Sequence, residues 1–167
     1  MVKRLPRIVL LVLAVALLVL AYRHWFPNEE QRIRRMLSDV AREACIPANP
    51  KPLGNLAAAQ KLASFFSPEV EIHVDAPSYG QHTLMGRDEI MQAVLAARAN
   101  LKNLKVEFLD PNVALDASQE SATVELTAKV THTGERDFGV QELKFQMKRL
   151  DGQWRINRVE TVRTLGQ

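Results

Sequence analysis

The sequence has few of the residues and motifs that carry chemistry by themselves. It contains one cysteine, Cys45, among 167 residues, so no disulfide can form within the chain. Its seven glycines are scattered, and no glycine-rich loop of the phosphate-binding kind is present. No two of the four histidines, His24, His73, His82 and His132, are four residues apart on one helix face. We therefore expect neither a metal site nor a cofactor.

The predicted folded part of the chain also lacks an excess of charge. The chain as a whole has 22 basic and 19 acidic side chains. Four of the basic residues, Lys3, Arg4, Arg7 and Arg23, lie in residues 1–26, which hold no acidic residue. The remaining 141 residues therefore carry 18 basic against 19 acidic side chains. Because a nucleic-acid-binding surface needs clustered positive charge, we expect no nucleic-acid partner.

One long apolar run is present near the start of the chain. It extends from Ile8 to Ala21 with the sequence IVLLVLAVALLVLA. A helix of this length rises about 21 Å, and flanking arginines with Tyr22, Trp25 and Phe26 at the headgroups would extend its reach across the membrane. The core of a cleaved signal peptide has a similar length. We therefore divide the chain into residues 1–26, a membrane anchor or signal segment, and residues 27–167, a folded domain.

The charges around this run give opposing indications of membrane orientation. The basic residues before it favour a cytoplasmic N-terminus, whereas Arg23, Arg32, Arg34 and Arg35 after it favour the reverse. Long domains cross the membrane largely regardless of charge. We expect a membrane-anchored domain on the extracytoplasmic side, which is the periplasm if the source is bacterial.

Hydrophobic periodicity predicts helices first and a sheet afterwards. Apolar residues recur at helical spacing in three segments. The first begins at an Asn28 cap and ends near Pro47, the second begins at an Asn55 cap and ends at Ser67-Pro68, and the third begins at Gly86. Between the second and third helices, residues 70–75 alternate as a strand does, and residues 76–85 are predicted to be a loop.

Four alternating segments follow the third helix. They cover residues 104–115 with a break at 110–112, 121–131, 139–150 and 153–162. An Asp151-Gly152 turn joins the last two, which is a strong hairpin signal. This order predicts an α+β fold with three helices packed on one face of a curved, mostly antiparallel sheet.

Three short motifs support a more specific assignment. They are FSPEVEI at residues 66–72, GRDEI at 86–90 and LDGQWRI at 150–156. In this order and spacing they resemble the nuclear-transport-factor-2-like, or SnoaL-like, superfamily of cone-shaped folds. The resemblance implies a cavity between helices and concave sheet, and often a homodimer formed through the sheet. The superfamily includes isomerases, dehydratases and epoxide hydrolases as well as binding and assembly modules, so the fold does not decide the function.

Alternation along the long strands separates an apolar from a polar face. The side chains predicted to face the helices are Val124, Leu126, Ala128, Val130, Leu143, Phe145, Met147, Trp154 and Ile156. The side chains predicted to line a ligand pocket are Tyr79, Phe108, Leu126, Phe145, Met147 and Trp154. Apart from the indole N–H of Trp154, the long-strand residues that face the helices offer no charged or hydrogen-bonding group suited to acid–base catalysis, which weighs against an enzyme.

The first strand and its loop hold the alternative catalytic candidates. The resemblance places Asp75 loosely where isomerase-like members carry their catalytic aspartate, with His73 or Tyr79 as a hydrogen-bond donor. His82 lies in the same stretch. Alternation indicates instead that Val70, Ile72 and Val74 face inward, which would leave His73 and Asp75 in solvent.

Three functions therefore stay open. The first is a membrane-anchored, non-catalytic module that binds a small apolar ligand or a protein partner. The second is an isomerase- or dehydratase-like enzyme that uses Asp75 with His73 or Tyr79. The third is an envelope assembly protein that acts through the polar sheet face, where Lys129 and Lys144 belong to a mixed-charge lattice that also suits a homodimer.

Overall fold

The structure is a computed structural model, and it describes residues 28–76, 80–132 and 139–162. Within these residues, the helices are too short or too polar for any of them to cross a membrane. The predicted anchor, from Ile8 to Ala21, lies outside the described residues and stays a prediction.

The described residues form three helices and six strands in the predicted order. The helices are α1 (Glu29–Ala44), α2 (Pro52–Ser64) and α3 (Arg87–Asn100). The strands are β1 (Phe66–Ala76), β2 (Gly80–Met85), β3 (Leu104–Leu115), β4 (Ser121–His132), β5 (Gly139–Leu150) and β6 (Gln153–Thr161). The α+β class predicted from periodicity is confirmed.

All six strands join in one curved sheet with the order β2-β1-β6-β5-β4-β3. Every neighbouring pair is antiparallel except β1 and β6, which are parallel. Helix α1 packs along β3, α3 packs against β1 and β2, and α2 packs against both other helices. The helices therefore cover the sheet from its two edges, which leaves a concave face between them.

The predicted starts of α1 and of the last hairpin are confirmed. The Asn28 side chain caps α1 by accepting a hydrogen bond from the backbone N–H of Glu30 at 3.4 Å. Asp151 and Gly152 both have positive φ, 51° and 74°, as the tight turn of a two-residue hairpin requires.

The second helix begins and ends earlier than predicted. Its first residue is Pro52, and the N–H of Asn55 donates to the carbonyl of Lys51 inside the first turn, so Asn55 is not the cap. Proline suits this first position because its missing N–H would have no helical partner there. The helix ends at Ser64, and Ser67 and Pro68 already belong to β1.

The prediction of a loop over residues 76–85 is wrong for residues 80–85. They form β2, which pairs with β1 from Glu71 opposite Met85 to Ala76 opposite Gly80. Strand β2 is an edge strand with mostly exposed side chains. It therefore lacks the apolar alternation that identifies a half-buried strand.

The predicted break at residues 110–112 is a bulge instead. Strand β3 runs without interruption from Leu104 to Leu115, and its register with β4 shifts between Leu109 and Asn112. Asp110 adopts a positive φ of 50° at this point. Pro111 has no N–H to donate to the strand ladder. It is tolerated here because the bulge interrupts the pairing and bends the strand.

The predicted apolar face forms the core, except that its members Val130 and Leu143 are only half-buried. The strand residues that are buried there are Ala122, Val124, Leu126, Ala128, Phe145, Met147, Trp154, Ile156 and Val159. They pack against Ile33, Leu37 and Val40 of α1 and Ile90 of α3 in one cluster. The Phe108 and Phe145 rings meet edge to face with their centroids 5.8 Å apart.

Candidate functional site

The Gly-Arg motif at the start of α3 has a structural role. Gly86, with φ of 81°, donates its backbone N–H to the carbonyl of Val70 at 2.8 Å. Arg87 donates from Nε and Nη2 to the carbonyl of Phe66 at 3.1 and 2.6 Å. That carbonyl lies next to the register shift between β1 and β6, where the regular ladder is interrupted. The motif therefore fastens α3 to an irregular part of the sheet.

The indole of Trp154 is also committed to structure. Its Nε1 donates to Glu29 Oε2 at 2.7 Å, which joins the first residue of α1 to the start of β6. Arg32 pairs with the other Glu29 oxygen at 2.9 Å, and Arg149 approaches that oxygen to 4.0 Å. We call this region, which contains Trp154 and the buried Ile156 and Met147, the closed end of the concave face.

On β1, β5 and β6, burial along the concave face falls from the closed end to the opposite end, whereas on β4 Leu126 and Ala128 stay buried. On β1, Val70 is fully buried, whereas Ile72 and Val74 are only half-buried. On β5, Met147 and Phe145 are buried and Leu143 is half-buried. Because all these side chains point toward the helices, the loss of burial means that the helix layer covers this end incompletely.

We call the open end of the concave face the mouth and define it by four residues. Val74 lies opposite His82 in the β1–β2 ladder, and Leu143 lies opposite Thr161 in the β5–β6 ladder. Val74 and Leu143 provide half-buried apolar surface, and His82 is exposed. Thr161 Oγ1 accepts a hydrogen bond from the backbone N–H of Asp75 at 3.0 Å. Its own hydroxyl proton can therefore be donated to a ligand.

A bulge on β6 places Thr161 in the mouth. Met147 pairs with Ile156, but Gln146 pairs with Arg158, so Asn157 has no partner of its own in the ladder. Beyond this bulge Val159 and Thr161 face the helices. Strict alternation would have turned Arg158 and Glu160 inward instead, which is why the sequence pattern did not identify Thr161.

The predicted catalytic pair lies beside the mouth, at the strand positions whose side chains face away from the helices. His73 Nδ1 is 3.3 Å from Thr83 Oγ1, and Asp75 Oδ2 accepts from Gln81 Nε2 at 3.4 Å. With Glu160 these residues line an open surface cavity of about 290 Å³, and the lining of this cavity also includes the mouth residues Val74, His82 and Thr161. The structure thus brings His73 and Asp75 together beside the mouth, outside the buried core. Tyr79, the third member of the predicted set, lies outside the described residues.

The predicted pocket residues divide by depth. Trp154, Met147, Phe145 and Leu126 are buried in the core cluster, whereas Phe108 is half-buried. Leu126 pairs with the mouth residue Leu143. Their contribution to ligand binding stays a prediction, and Leu126 is the member of this set that the register brings nearest to the mouth.

Sequence reasoning missed a buried cation, Arg98 of α3. Its side chain is only 5% exposed. Its Nη2 donates to the backbone carbonyls of Glu43 and, at 3.1 Å, of Cys45. Burial lowers the pKa of Arg98, and the nearby charge of Glu43 opposes that shift. Arg98 therefore fastens the C-terminal end of α3 to the last carbonyls of α1. Arg98 follows Ile90 and Val94 at four-residue spacing on the apolar side of α3, and this spacing could have indicated that it is buried.

Cys45 and the polar sheet face contribute to structure. The Cys45 thiol donates to the carbonyl of Ala41 at 3.2 Å and accepts from the N–H of Val106 at 3.3 Å. On the polar face, Lys144 approaches Glu125 to 3.9 Å, as the mixed-charge pattern predicts. A homodimer through this face stays a prediction. No three His, Cys, Asp or Glu side chains in the described ranges are grouped so that they could hold a metal ion.

Solved structures share this architecture. An NTF2-like protein with a cystatin-like fold from Novosphingobium aromaticivorans superposes with a TM-score of 0.64 at 19% identity, over 89% of this chain and 90% of that one. A protein from the same organism, described as a proposed scytalone dehydratase, gives 0.55 at 21% identity over 81% and 85%. A proposed dehydratase of the NTF2-like family from Streptomyces avermitilis gives 0.60 at 13% identity over 83% and 97%. At these identities the likeness shows the fold alone.

Sequence comparison gives the family. A search of curated proteins finds no match. The sequence model described as the SnoaL-like domain matches residues 55–160, which is more than half of the chain. This stretch runs from α2 to the last strand and includes the mouth residues Val74, His82 and Leu143, and it ends one residue before Thr161. The chain therefore belongs to the SnoaL-like family.

Proposed function

We propose that this SnoaL-like domain binds a small, largely apolar ligand at the mouth and performs no chemistry on it. The observation that carries the proposal is the fall in burial along one continuous apolar face, from Ile156 and Met147 to Leu143 and Val74. Apolar surface that is shaped as a concavity and left partly uncovered is typical of ligand sites. Burying that surface under a ligand would supply favourable free energy.

The chemistry of the mouth supports binding better than catalysis. Of its four defining side chains, two are aliphatic, one is a threonine and one is an exposed histidine. A general base must reach the proton that it removes, within hydrogen-bond distance or through one water. Asp75 and Glu160 line the same open cavity as the mouth residues Val74, His82 and Thr161, but strand alternation turns their side chains toward the face away from the helices.

Ligand binding can be tested with two matched leucine substitutions. Leu143→Glu places a charge in the mouth, and Leu109→Glu makes the same change on the outer face, where Leu109 is 41% exposed. The full chain in lipid nanodiscs is titrated with 2-naphthol and with 1-decanol, and binding is measured by calorimetry and thermal unfolding. We expect Leu143→Glu to weaken binding at least tenfold, because a buried charge is costly, and Leu109→Glu to change it less than twofold.

Two results would contradict this proposal. One is that neither probe binds the unaltered chain. The other is that both leucine variants bind equally well, since the mouth would then not be the site. Unchanged denaturation midpoints for both variants would show that the difference does not come from unfolding.

A second candidate is an isomerase- or dehydratase-like enzyme that uses Asp75 with His73 or Tyr79. One observation favours it: His73 and Asp75 line one cavity together with the mouth residues Val74, His82 and Thr161. Two of the similar structures are also described as proposed dehydratases. If this candidate is right, Asp75→Asn should abolish any turnover of a bound hydroxylated ligand, whereas Gln81→Ala beside it should not. Equal turnover in the Asp75 variant and the unaltered chain would rule it out.

A further inference from the structure

Helix α1 starts at the closed end of the domain. Asn28 caps the helix, and the next residue, Glu29, accepts the hydrogen bond from Trp154. Trp154 lies directly beyond the β5–β6 turn at Asp151-Gly152. The chain that precedes the domain therefore joins it at the end of the concave face where the inward side chains are fully covered.

The mouth lies at the other end of the same strands. Thr161 is seven positions beyond Trp154 along β6, which corresponds to roughly 23 Å at ~3.3 Å per residue. Helix α1 spans the same direction over its 16 residues. At its far end Ile46 bridges to Leu104 at the start of β3. The point of attachment and the mouth are thus separated by most of the length of the domain.

Only a short segment joins the predicted anchor to α1. Six residues, 22–27, lie between Ala21 and Asn28, and even fully extended they reach about 22 Å at most. The sequence predicts that Trp25 and Phe26 lie at the headgroups, which leaves Pro27 alone as a spacer. A spacer of one residue would hold the closed end against the membrane, because turning the mouth to the bilayer would need a tether of roughly 23 Å, the length of β6 from Trp154 to Thr161.

From this geometry we propose that the closed end faces the membrane and the mouth opens away from it, into the aqueous compartment. The proposal rests on the predicted anchor and on the proposed ligand site. It assigns the ligand to molecules that arrive through water or from a soluble partner, and it excludes lipids that enter the mouth directly from the bilayer.

The orientation can be measured with two reporters on the full chain. In a Cys45→Ser background, Gln153→Cys places a thiol at the closed end and Val140→Cys places one near the mouth, where Val140 is 52% exposed. Each thiol carries a nitrobenzoxadiazole fluorophore, and the protein is reconstituted into phosphatidylcholine–phosphatidylglycerol vesicles with nitroxide-labelled headgroups. We expect at least threefold stronger quenching of the Gln153 label than of the Val140 label. A Cys45→Ala background serves if Cys45→Ser lowers the melting temperature.

The outcomes separate this inference from the proposed function. Equal quenching of the two labels, stronger quenching near the mouth, or failure of the chain to float with vesicles would each overturn the orientation. Binding of 2-naphthol that is sensitive to Leu143→Glu would survive any of these results. Conversely, stronger quenching of the Gln153 label without any binding of 2-naphthol would support the orientation but contradict the proposed ligand site.

Discussion

The closed end and the mouth belong to one apolar sheet face, yet they differ in how their side chains are used. At the closed end Ile156 is fully buried, and the polar N–H of Trp154 is paired with Glu29. At the mouth Leu143 remains half-buried, and Thr161 keeps a hydroxyl proton that it can donate. The same alternating pattern therefore produces a core where helices cover it and a candidate binding surface where they do not.

The largest expected effect tests this difference directly. Ile156→Ala should lower the free energy of unfolding by about 3–4 kcal/mol, because it opens a cavity among tightly packed side chains. Leu143→Ala should cost only about 1 kcal/mol, because its neighbours already leave it partly exposed. Urea denaturation of both variants measures the two values. Equal losses would mean that the mouth is packed as tightly as the closed end.

A second prediction concerns how the helix ends near the mouth are held. Arg98→Met should destabilise the domain by about 2–3 kcal/mol, since it leaves the carbonyls of Glu43 and Cys45 without their buried donor. Arg98→Lys keeps the positive charge but not the planar guanidinium with its several N–H donors, so we expect it to lose less stability than Arg98→Met. Denaturation midpoints would measure both. If Arg98→Met is as stable as the unaltered chain, Arg98 does not fix the helices over the sheet.

The sequence allowed the α+β class, the three helices, the β5–β6 turn and the apolar face to be predicted, because each depends on local periodicity or on turn chemistry. It did not allow the site to be predicted equally well. Thr161 faces the mouth only because a bulge at Asn157 shifts the alternation, and β2 is a strand only because β1 offers it an edge. Arg98 is buried because the ends of two helices meet. All three depend on contacts between distant segments, which periodicity cannot report.

A smaller effect should distinguish ligands by their polar group. Thr161→Val keeps the shape of the side chain but removes its hydroxyl, so we expect threefold to tenfold weaker binding of 2-naphthol. Binding of naphthalene, which has no group to pair with Thr161, should change less than twofold. The ratio of the two affinities, measured by calorimetry, isolates the hydroxyl. An equal loss for both probes would mean that Thr161 contributes only to the shape of the mouth.

The smallest effect belongs to the turn between β3 and β4 at the closed end. The carboxylate of Asp116 accepts hydrogen bonds from the Ser118 hydroxyl at 2.6 Å and from the N–H groups of Glu120 and Ser121, both at 3.1 Å. These bonds, that of Ser118 foremost, lower the pKa of Asp116. Because the pKa is lowered on folding, its contribution to stability is present above the ordinary pKa of about 3.9. That contribution is lost as the pH falls through the value in the folded state.

Ser118→Ala should therefore raise the pKa of Asp116 toward its ordinary value, which a carboxyl-carbon NMR titration would detect. The Asp116 side chain is fully exposed, so solvent screens the effect and we expect only a slight change in unfolding midpoint above pH 5. If Ser118→Ala left the titration unchanged, the backbone N–H groups alone would hold the carboxylate. The pKa of Asp116 would then stay lowered, and its small contribution to stability would come from the N–H groups of Glu120 and Ser121 and not from Ser118.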